Sequence, residues 1–250
     1  MKQGIFTLKE VQDKGGGIWR LRLAGDTSAI TAPGQFVNIQ LPGKFLRRPI
    51  SVSDWWEEDM SLLVKEAGEG TRELVHLPIG TELDVLTGLG NGFDVSEAKG
   101  KHAVLVSGGI GIAPLYGLVR CMEEAGVEIQ AIVTGFASED QARVLYRGDW
   151  VIKGYRVLPV TEDGSLGTKG LVTDILGHML PDSHYVMACG PAPMLKAICN
   201  LPQITGGQFS FEARMACGFG ACVGCTIPTR NGPRRVCKDG PVFRKEEIVW

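Results

Sequence analysis

A three-part α/β protein is predicted: an antiparallel β-barrel, then an α/β domain built on a parallel sheet, then a small cysteine-rich C-terminal domain. Three observations predict it: short alternating strands over the first hundred residues, strands alternating with helices from about residue 101, and four cysteines crowded near the end. The expected limits are residues 1–99, 100–205 and 206–250. The barrel rests on segments 4–11, 18–23, 35–41, 61–65 and 82–86, which are β-branched or alternating and are separated by Gly, Pro, Asp and Asn turns. The rhythm then changes. A strand at 102–107, a helix at 113–125 and a strand at 128–134 precede a strand at 155–160, a helix at 171–180, a strand at 184–188 and a helix at 193–200. The last region has few long apolar runs and cannot build much of a core alone, so a bound metal centre is expected to organise it.

Composition narrows the function. With 250 residues, 44% hydrophobic and 22% charged, the chain is neither collagen-like nor a disordered polyelectrolyte. Lys+Arg 26 against Asp+Glu 28 gives −2, so no field of one sign covers the molecule and general nucleic-acid binding loses its appeal. No apolar stretch approaches the roughly 18 residues that span a bilayer, and the start MKQGIFTLKE lacks the layout of a signal peptide; a cytosolic location is expected. Seven cysteines in such a chain point to metal ligation before disulfides. Glycine, at 34 residues, is about double the average usage of roughly 7%, which suits backbone that closely approaches a cofactor.

Cys217, Cys222, Cys225 and Cys237 are spaced C-x4-C-x2-C-x11-C. Zinc ribbons usually pair one CxxC with another, and only one CxxC is present, although a zinc knuckle is the alternative reading. The spacing is the plant-ferredoxin type for a [2Fe-2S] cluster, whose iron prefers soft thiolates. Gly218, Gly220 and Gly224 suit a loop that needs positive φ values and N–H groups turned toward sulfide. From residue 214 onward, seven basic residues face three acidic ones, which fits a docking face or simply a solvated charged face.

Two further segments invite a nucleotide. Arg47 and Arg48 precede Pro49, Ile50 and Ser51; a guanidinium fork suits pyrophosphate, and Ser51 can reach the edge of a flat ring. Leu63, Val64 and Lys65 end a strand, and the glycine-flanked stretch to Gly70 and Thr71 offers a second phosphate cradle. On residues alone, an ordinary surface hairpin explains this region better, since an RxxS string is common by chance. Gly108, Gly109 and Gly111 follow an apolar strand and open a helix in the string GGIGIAP, which departs from GxGxxG. Cys189 and Gly190 repeat that layout after a later strand, so both loops belong at one sheet edge, with a tight structural turn as the alternative. Cys189 reads as a small buried hydrophobe, and the four histidines show no metal or triad spacing.

Taken together, RPIS at 48–51, Gly70-Thr71, GGIGIAP at 108–114, CGP at 189–191 and FEARMACG at 211–218 resemble the ferredoxin–NADP reductase superfamily. With the trailing cysteines, the whole chain is similar to the electron-transfer subunits of type B dihydroorotate dehydrogenases. The resemblance implies that Arg48, Pro49, Ile50, Ser51, Leu63, Val64, Lys65, Gly70 and Thr71 hold FAD. It also implies that the loops of Gly108, Gly109, Gly111, Cys189 and Gly190 flank NAD, and that the four cysteines hold the cluster. Many relatives outside this subfamily carry an aromatic residue between the arginine and the serine; Pro49 and Ile50 stand there instead, so ring stacking from this motif is not expected. The implied partner is an FMN-containing catalytic subunit that converts dihydroorotate to orotate in pyrimidine biosynthesis, in a heterotetramer of two subunits of each kind, with electrons passing on to NAD⁺. A flavin suits the middle of that chain because nicotinamide exchanges electrons in pairs and the cluster exchanges them singly. An NAD(P)H–ferredoxin or sulfur-reductase subunit is the alternative within the superfamily. Some of those replace a cluster cysteine with aspartate. A zinc-bearing interaction module without redox chemistry is the alternative outside it.

Overall fold

The structure is a computed structural model that describes residues 1–146, 153–178 and 184–250. Six strands close into an antiparallel barrel in the order β1-β2-β5-β4-β3-β6: β1 (Lys2–Gly15), β2 (Ile18–Ala24), β3 (Phe36–Ile39), β4 (Arg48–Trp55), β5 (Asp59–Lys65) and β6 (Glu82–Leu89). Alternate residues point inward, so Phe6 and Leu8, Leu21 and Leu23, Val37 and Ile39, and Val85 with Leu83 share one core. Five of the strands match the predicted segments. The sixth, β4, begins at Arg48 itself, and Pro49 lies within it opposite Asn38 of β3. Residues 66–71, read from the sequence as a second phosphate cradle, lead into and form the first turn of helix α1 (Glu69–Val75).

The second body alternates as predicted: β7 (Ala103–Gly108), α2 (Ala113–Glu124), β8 (Ile129–Phe136), α3 (Glu139–Tyr146), β9 (Val157–Thr161), β10 (Thr168–Lys169), α4 (Val172–His178), β11 (His184–Cys189), α5 (Ala192–Cys199) and β12 (Ile204–Ser210). Positions 179 and 180 of the predicted helix 171–180 lie outside the described residues. The segment of α3, EDQARVLY, is mostly polar, and no element was expected there. Every residue of β7 and of β11 is buried. That follows from cover on both faces: Val104, Val106, Val186 and Ala188 meet one core, while Leu105 and Met187 meet another.

The C-terminal region adds β13 (Thr226–Ile227), β14 (Arg234–Arg235), α6 (Val236–Asp239) and β15 (Val242–Arg244). The parallel sheet runs β10-β9-β8-β7-β11-β12-β15, and only its last pair is antiparallel. β12 crosses the predicted limit at 205/206, and β15 returns to the same sheet, so the cysteine-rich region shares a sheet with its neighbour. Among the described residues, no helix is long and apolar enough to cross a membrane.

The barrel and the sheet domain are fastened together where α2 crosses β4. Ser53 Oγ donates to the Ala113 carbonyl at 3.0 Å, and Arg120 Nε donates to Asp54 Oδ1 at 2.8 Å. Within the barrel, Arg47 meets Asp84 through two parallel bonds, Nη2 to Oδ2 at 2.8 Å and Nη1 to Oδ1 at 3.1 Å. The Arg47 bond holds the Asp84 carboxyl below its ordinary 3.8, against the opposing effect of burial. A depressed carboxylate stabilises the fold above its unfolded pKa, and that contribution is lost as pH falls through the folded value. Arg47→Met is therefore expected to cost about 2 kcal/mol near neutral pH. The cost should shrink once pH falls well below 3.8. Urea denaturation across that range checks it; a cost independent of pH would contradict it.

Candidate cofactor and cluster sites

The candidate site lies at the carboxyl edge of the parallel sheet, where β7 ends in Gly108 and β11 ends in Cys189. Residues Gly109–Ile112 form a tight helical turn that leads straight into α2. Gly190-Pro191 leads into α5. These two loops touch. A Cβ on Gly111 would lie 2.3 Å from the Cys189 carbonyl oxygen, and one on Gly190 would lie 3.0 Å from the Gly108 nitrogen. Only glycine lets the backbones approach this closely. A Cβ on Gly109 would meet nothing within 4 Å, so its backbone faces open space.

Between these loops and the barrel wall lies a cavity of about 550 Å³, within the usual range for small-molecule sites. Pro49, Ile50 and Ser51 of β4 and Leu63, Val64 and Lys65 of β5 form its barrel side; Gly108, Gly109, Gly111 and Cys189 form its sheet side. A second cavity of about 520 Å³ shares Lys65, Gly108, Gly109 and Pro191 with the first and extends toward Glu162 and Thr173. The predicted site residues thus divide two ways. Ten line the first cavity, whereas Arg48, Gly70, Thr71 and Gly190 do not. Arg48 packs on Gly70, where a Cβ would lie 2.1 Å from Arg48 Nε. The Thr71 hydroxyl accepts the N–H groups of Ala67 and Gly68 at 2.9 and 3.1 Å, so it closes the turn instead of standing free. None of the four histidines lines either cavity.

Sequence reasoning missed one wall. Phe211, Glu212, Ala213 and Met215, just beyond β12, also face the first cavity. The FEARMACG string contains them, but nothing in it assigns them to a cavity; the path of β12 carries the chain there. Glu212 is exposed yet lines the cavity, and partial desolvation raises its carboxyl pKa against the pull of Lys65. Burial pushes the Cys189 thiol up to about 12, so it stays neutral near pH 7. The reading of Cys189 as a small buried group, without acid–base work, is consistent with that environment.

The four cysteines of the C-terminal motif, Cys217, Cys222, Cys225 and Cys237, fall into two pairs. Cys217 and Cys222 bring their sulfurs to 3.3 Å, and the Cys222 N–H donates to Cys217 Sγ at 3.4 Å. The Cys237 N–H donates to Cys225 Sγ, also at 3.4 Å. Among the described residues, no three His, Cys, Asp or Glu side chains converge as a single metal ion requires. Burial alone would raise the Cys217 pKa, yet backbone N–H groups of Cys222 and Phe219 bring it down to about 6, which favours the ligating thiolate. Burial pushes Cys237 up to about 12. Gly218 (φ 74) and Gly220 (φ 88) take the positive φ values expected of the loop. Gly224 does not; it lies 3.8 Å, by its would-be Cβ, from Cys222 Sγ in ordinary contact.

The cysteine loop adjoins the first cavity. Met215 lines that cavity, and Cys217 follows two positions later, at most about 7 Å further along the chain.

Comparison with known proteins agrees with this geometry. Residues 212–249 match the iron-sulfur cluster binding domain of dihydroorotate dehydrogenase B, and residues 105–200 match an oxidoreductase NAD-binding domain. The chain is 38% identical to the dihydroorotate dehydrogenase B (NAD(+)) electron transfer subunit of Shouchella clausii, over 99% of this chain and 98% of that one. Against its counterpart in Caldanaerobacter subterraneus the identity is 40% over 87% of each chain. A solved NADH-dependent reduced ferredoxin-NADP oxidoreductase superposes with a TM-score of 0.85 at 28% identity, covering 99% of this chain and 90% of that one. A ferredoxin NADP⁺ reductase from Neisseria gonorrhoeae shares the fold at a TM-score of 0.66 and 17% identity, over 79% and 89% of the two chains. Identity of 38% over nearly the whole of both chains, together with the cluster-domain match, means that the chain belongs to the family of electron-transfer subunits of dihydroorotate dehydrogenase B.

Proposed function

We propose that this subunit carries electrons between an FMN-containing catalytic subunit, which oxidises dihydroorotate in pyrimidine biosynthesis, and NAD⁺, using a [2Fe-2S] cluster and FAD. The work takes place in the cytosol, in a complex of two subunits of each kind. The observation that carries the reading is the adjacency of a cavity, sharing wall residues with a second one, to a thiol pair whose first member, Cys217, lies two residues beyond the wall residue Met215. FAD, when bound, supplies exchange of a hydride with nicotinamide and of single electrons with the cluster.

Each group of residues then has its task. Residues 1–99 form the flavin wall, 100–205 the dinucleotide edge and 206–250 the cluster domain. Pro49, Ile50, Ser51, Leu63 and Val64 shape the ring slot, while Arg48 beside Gly70 and Thr71 is assigned to the pyrophosphate. Lys65, shared by both cavities, places a cation at the junction of flavin and nicotinamide. Gly109 lets NAD approach the sheet edge, with Gly108, Gly111, Cys189 and Gly190 holding the two loops together. Cys217 and Cys222 would hold one iron, and Cys225 and Cys237 the other. No side chain of this site needs to act as a general base, and the neutral Cys189 is consistent with that.

Co-expression with a candidate catalytic subunit tests the assignment. The expected outcome is a stable complex that reduces NAD⁺ when given dihydroorotate. Dihydroorotate-dependent NAD⁺ reduction by the isolated chain, with no second polypeptide, would refute the subunit role.

A further inference from the structure

Asn38 is a buried amide, 1% exposed, in a strand whose other residues are Phe36, Val37 and Ile39. Burying an amide is costly unless it is bonded. Its Nδ2 donates at 3.0 Å to the carbonyl oxygen of Cys217, which ties the barrel to the first cysteine across 179 positions of chain. Turning the amide over would set its oxygen against that carbonyl, acceptor against acceptor, so the orientation follows from the contact. The Asn38 Oδ1 finds no hydrogen-bond partner among the described residues, so the side chain is only half satisfied and serves its single donor bond.

Two further features point the same way. The residue after Cys217 is Gly218, with φ 74, and a Cβ there would lie 2.4 Å from Asn38 Nδ2. The loop therefore leaves room for this amide. Asn38 also has a stiff mount: Arg47 Nη1 reaches its carbonyl at 3.4 Å while the same guanidinium grips Asp84. Two residues earlier in the strand, Phe36 lines the first cavity.

We propose that Asn38 is a positioning residue that fixes the Cys217 peptide, and so the cluster, against the wall of the flavin cavity. This rests on the reading of Cys217, Cys222, Cys225 and Cys237 as cluster ligands. A peptide unit turns as a plane, so holding the Cys217 oxygen also sets the direction of the Gly218 N–H and the start of the loop. That loop aims the Phe219 and Cys222 N–H groups at the Cys217 sulfur. Donors facing a cluster thiolate favour the reduced, more negative state, which makes the cluster potential sensitive to Asn38.

The test uses the full chain with flavin and cluster in place, and compares Asn38→Ala and Asn38→Asp with Gln35→Ala. Gln35 is another buried barrel amide, but its bonds to Thr31, Ala32 and Gly90 all stay within the barrel. Losing the Asn38 bond should lower the cluster midpoint potential, change the electron paramagnetic resonance g values of the reduced cluster, and speed iron release to a chelator roughly fivefold, the scale of one hydrogen bond. Asn38→Asp keeps the shape and replaces the donor with an acceptor, so it should lower the potential further and remains readable if the alanine variant does not fold. Gln35→Ala should lower the melting temperature and leave potential and g values at their wild-type positions. Wild-type potential and g values in both Asn38 variants would overturn the proposal, as would an equal shift in Gln35→Ala. A wild-type protein that binds no iron would instead remove the cluster reading beneath it.

Discussion

Cys222→Ser is expected to leave NADH-driven flavin reduction largely intact while stopping electron transfer to the catalytic subunit. Cys222 shares a pair with Cys217 at 3.3 Å, and its own N–H also bonds that sulfur. Serine keeps the backbone bond and replaces the soft ligand with a hard, protonated hydroxyl, which iron–sulfur clusters bind poorly. Loss of the ligand itself should exceed the roughly 10–100-fold that outer-shell substitutions cost at metal sites. The cavity residues on β4, β5, β7 and β11 are untouched. Stopped-flow absorbance would follow the flavin with NADH alone, and then dihydroorotate-dependent NAD⁺ reduction in the complex. Equal loss of both reactions would contradict the proposed order of carriers.

Gly111→Ala should produce the converse. Its new methyl would start 2.3 Å from the Cys189 carbonyl oxygen, where ordinary contact begins at 3.4 Å, and that oxygen belongs to backbone that cannot swing aside. The two loops must therefore part by about an ångström. Displacements of about 1 Å at a reacting centre cost on the order of 100-fold in rate, and such overpacking costs about 1–3 kcal/mol in stability. The loss should fall on kcat/KM for NADH, because the turn of Gly109–Ile112 and the Cys189 loop flank the nicotinamide in the proposed site. Chemical reduction by dithionite should still give the reduced-cluster spectrum, since Cys217 and its partners lie outside the displaced loops. Unchanged NADH kinetics would show that this edge does not bind the dinucleotide.

How far the sequence foretold this structure depends on where each feature draws its stability. The cysteine spacing was legible in the sequence, and the fold brings Cys217 beside Cys222 and Cys225 beside Cys237. The parallel sheet was legible from apolar runs such as 103–106, buried on both faces. The full length of β4 was not, because arginine and proline at 48 and 49 break the alternating pattern, and its place is set by pairing with β3 and β5. The three-residue strand β15 has no signal of its own; it exists through its register with Gln208, Phe209 and Ser210. Glu212 and Met215 belong to the FEARMACG string, but their place in the cavity wall follows from the path of β12 and carries no signal of its own. Asn38 did leave a trace, a single amide amid Phe36, Val37 and Ile39, but its partner lies in a distant part of the chain.

The most direct measurement is electron paramagnetic resonance on the purified chain, held without oxygen and mixed with NADH, after its metal and flavin contents have been assayed. The expected sample carries FAD and about two irons per chain. On mixing, the flavin absorbance bleaches and the spectrum of a reduced [2Fe-2S] cluster grows in behind it. A colourless, zinc-bearing protein would contradict electron passage from the flavin cavity to the four cysteines, as would an iron-loaded one whose flavin bleaches while its cluster spectrum never develops.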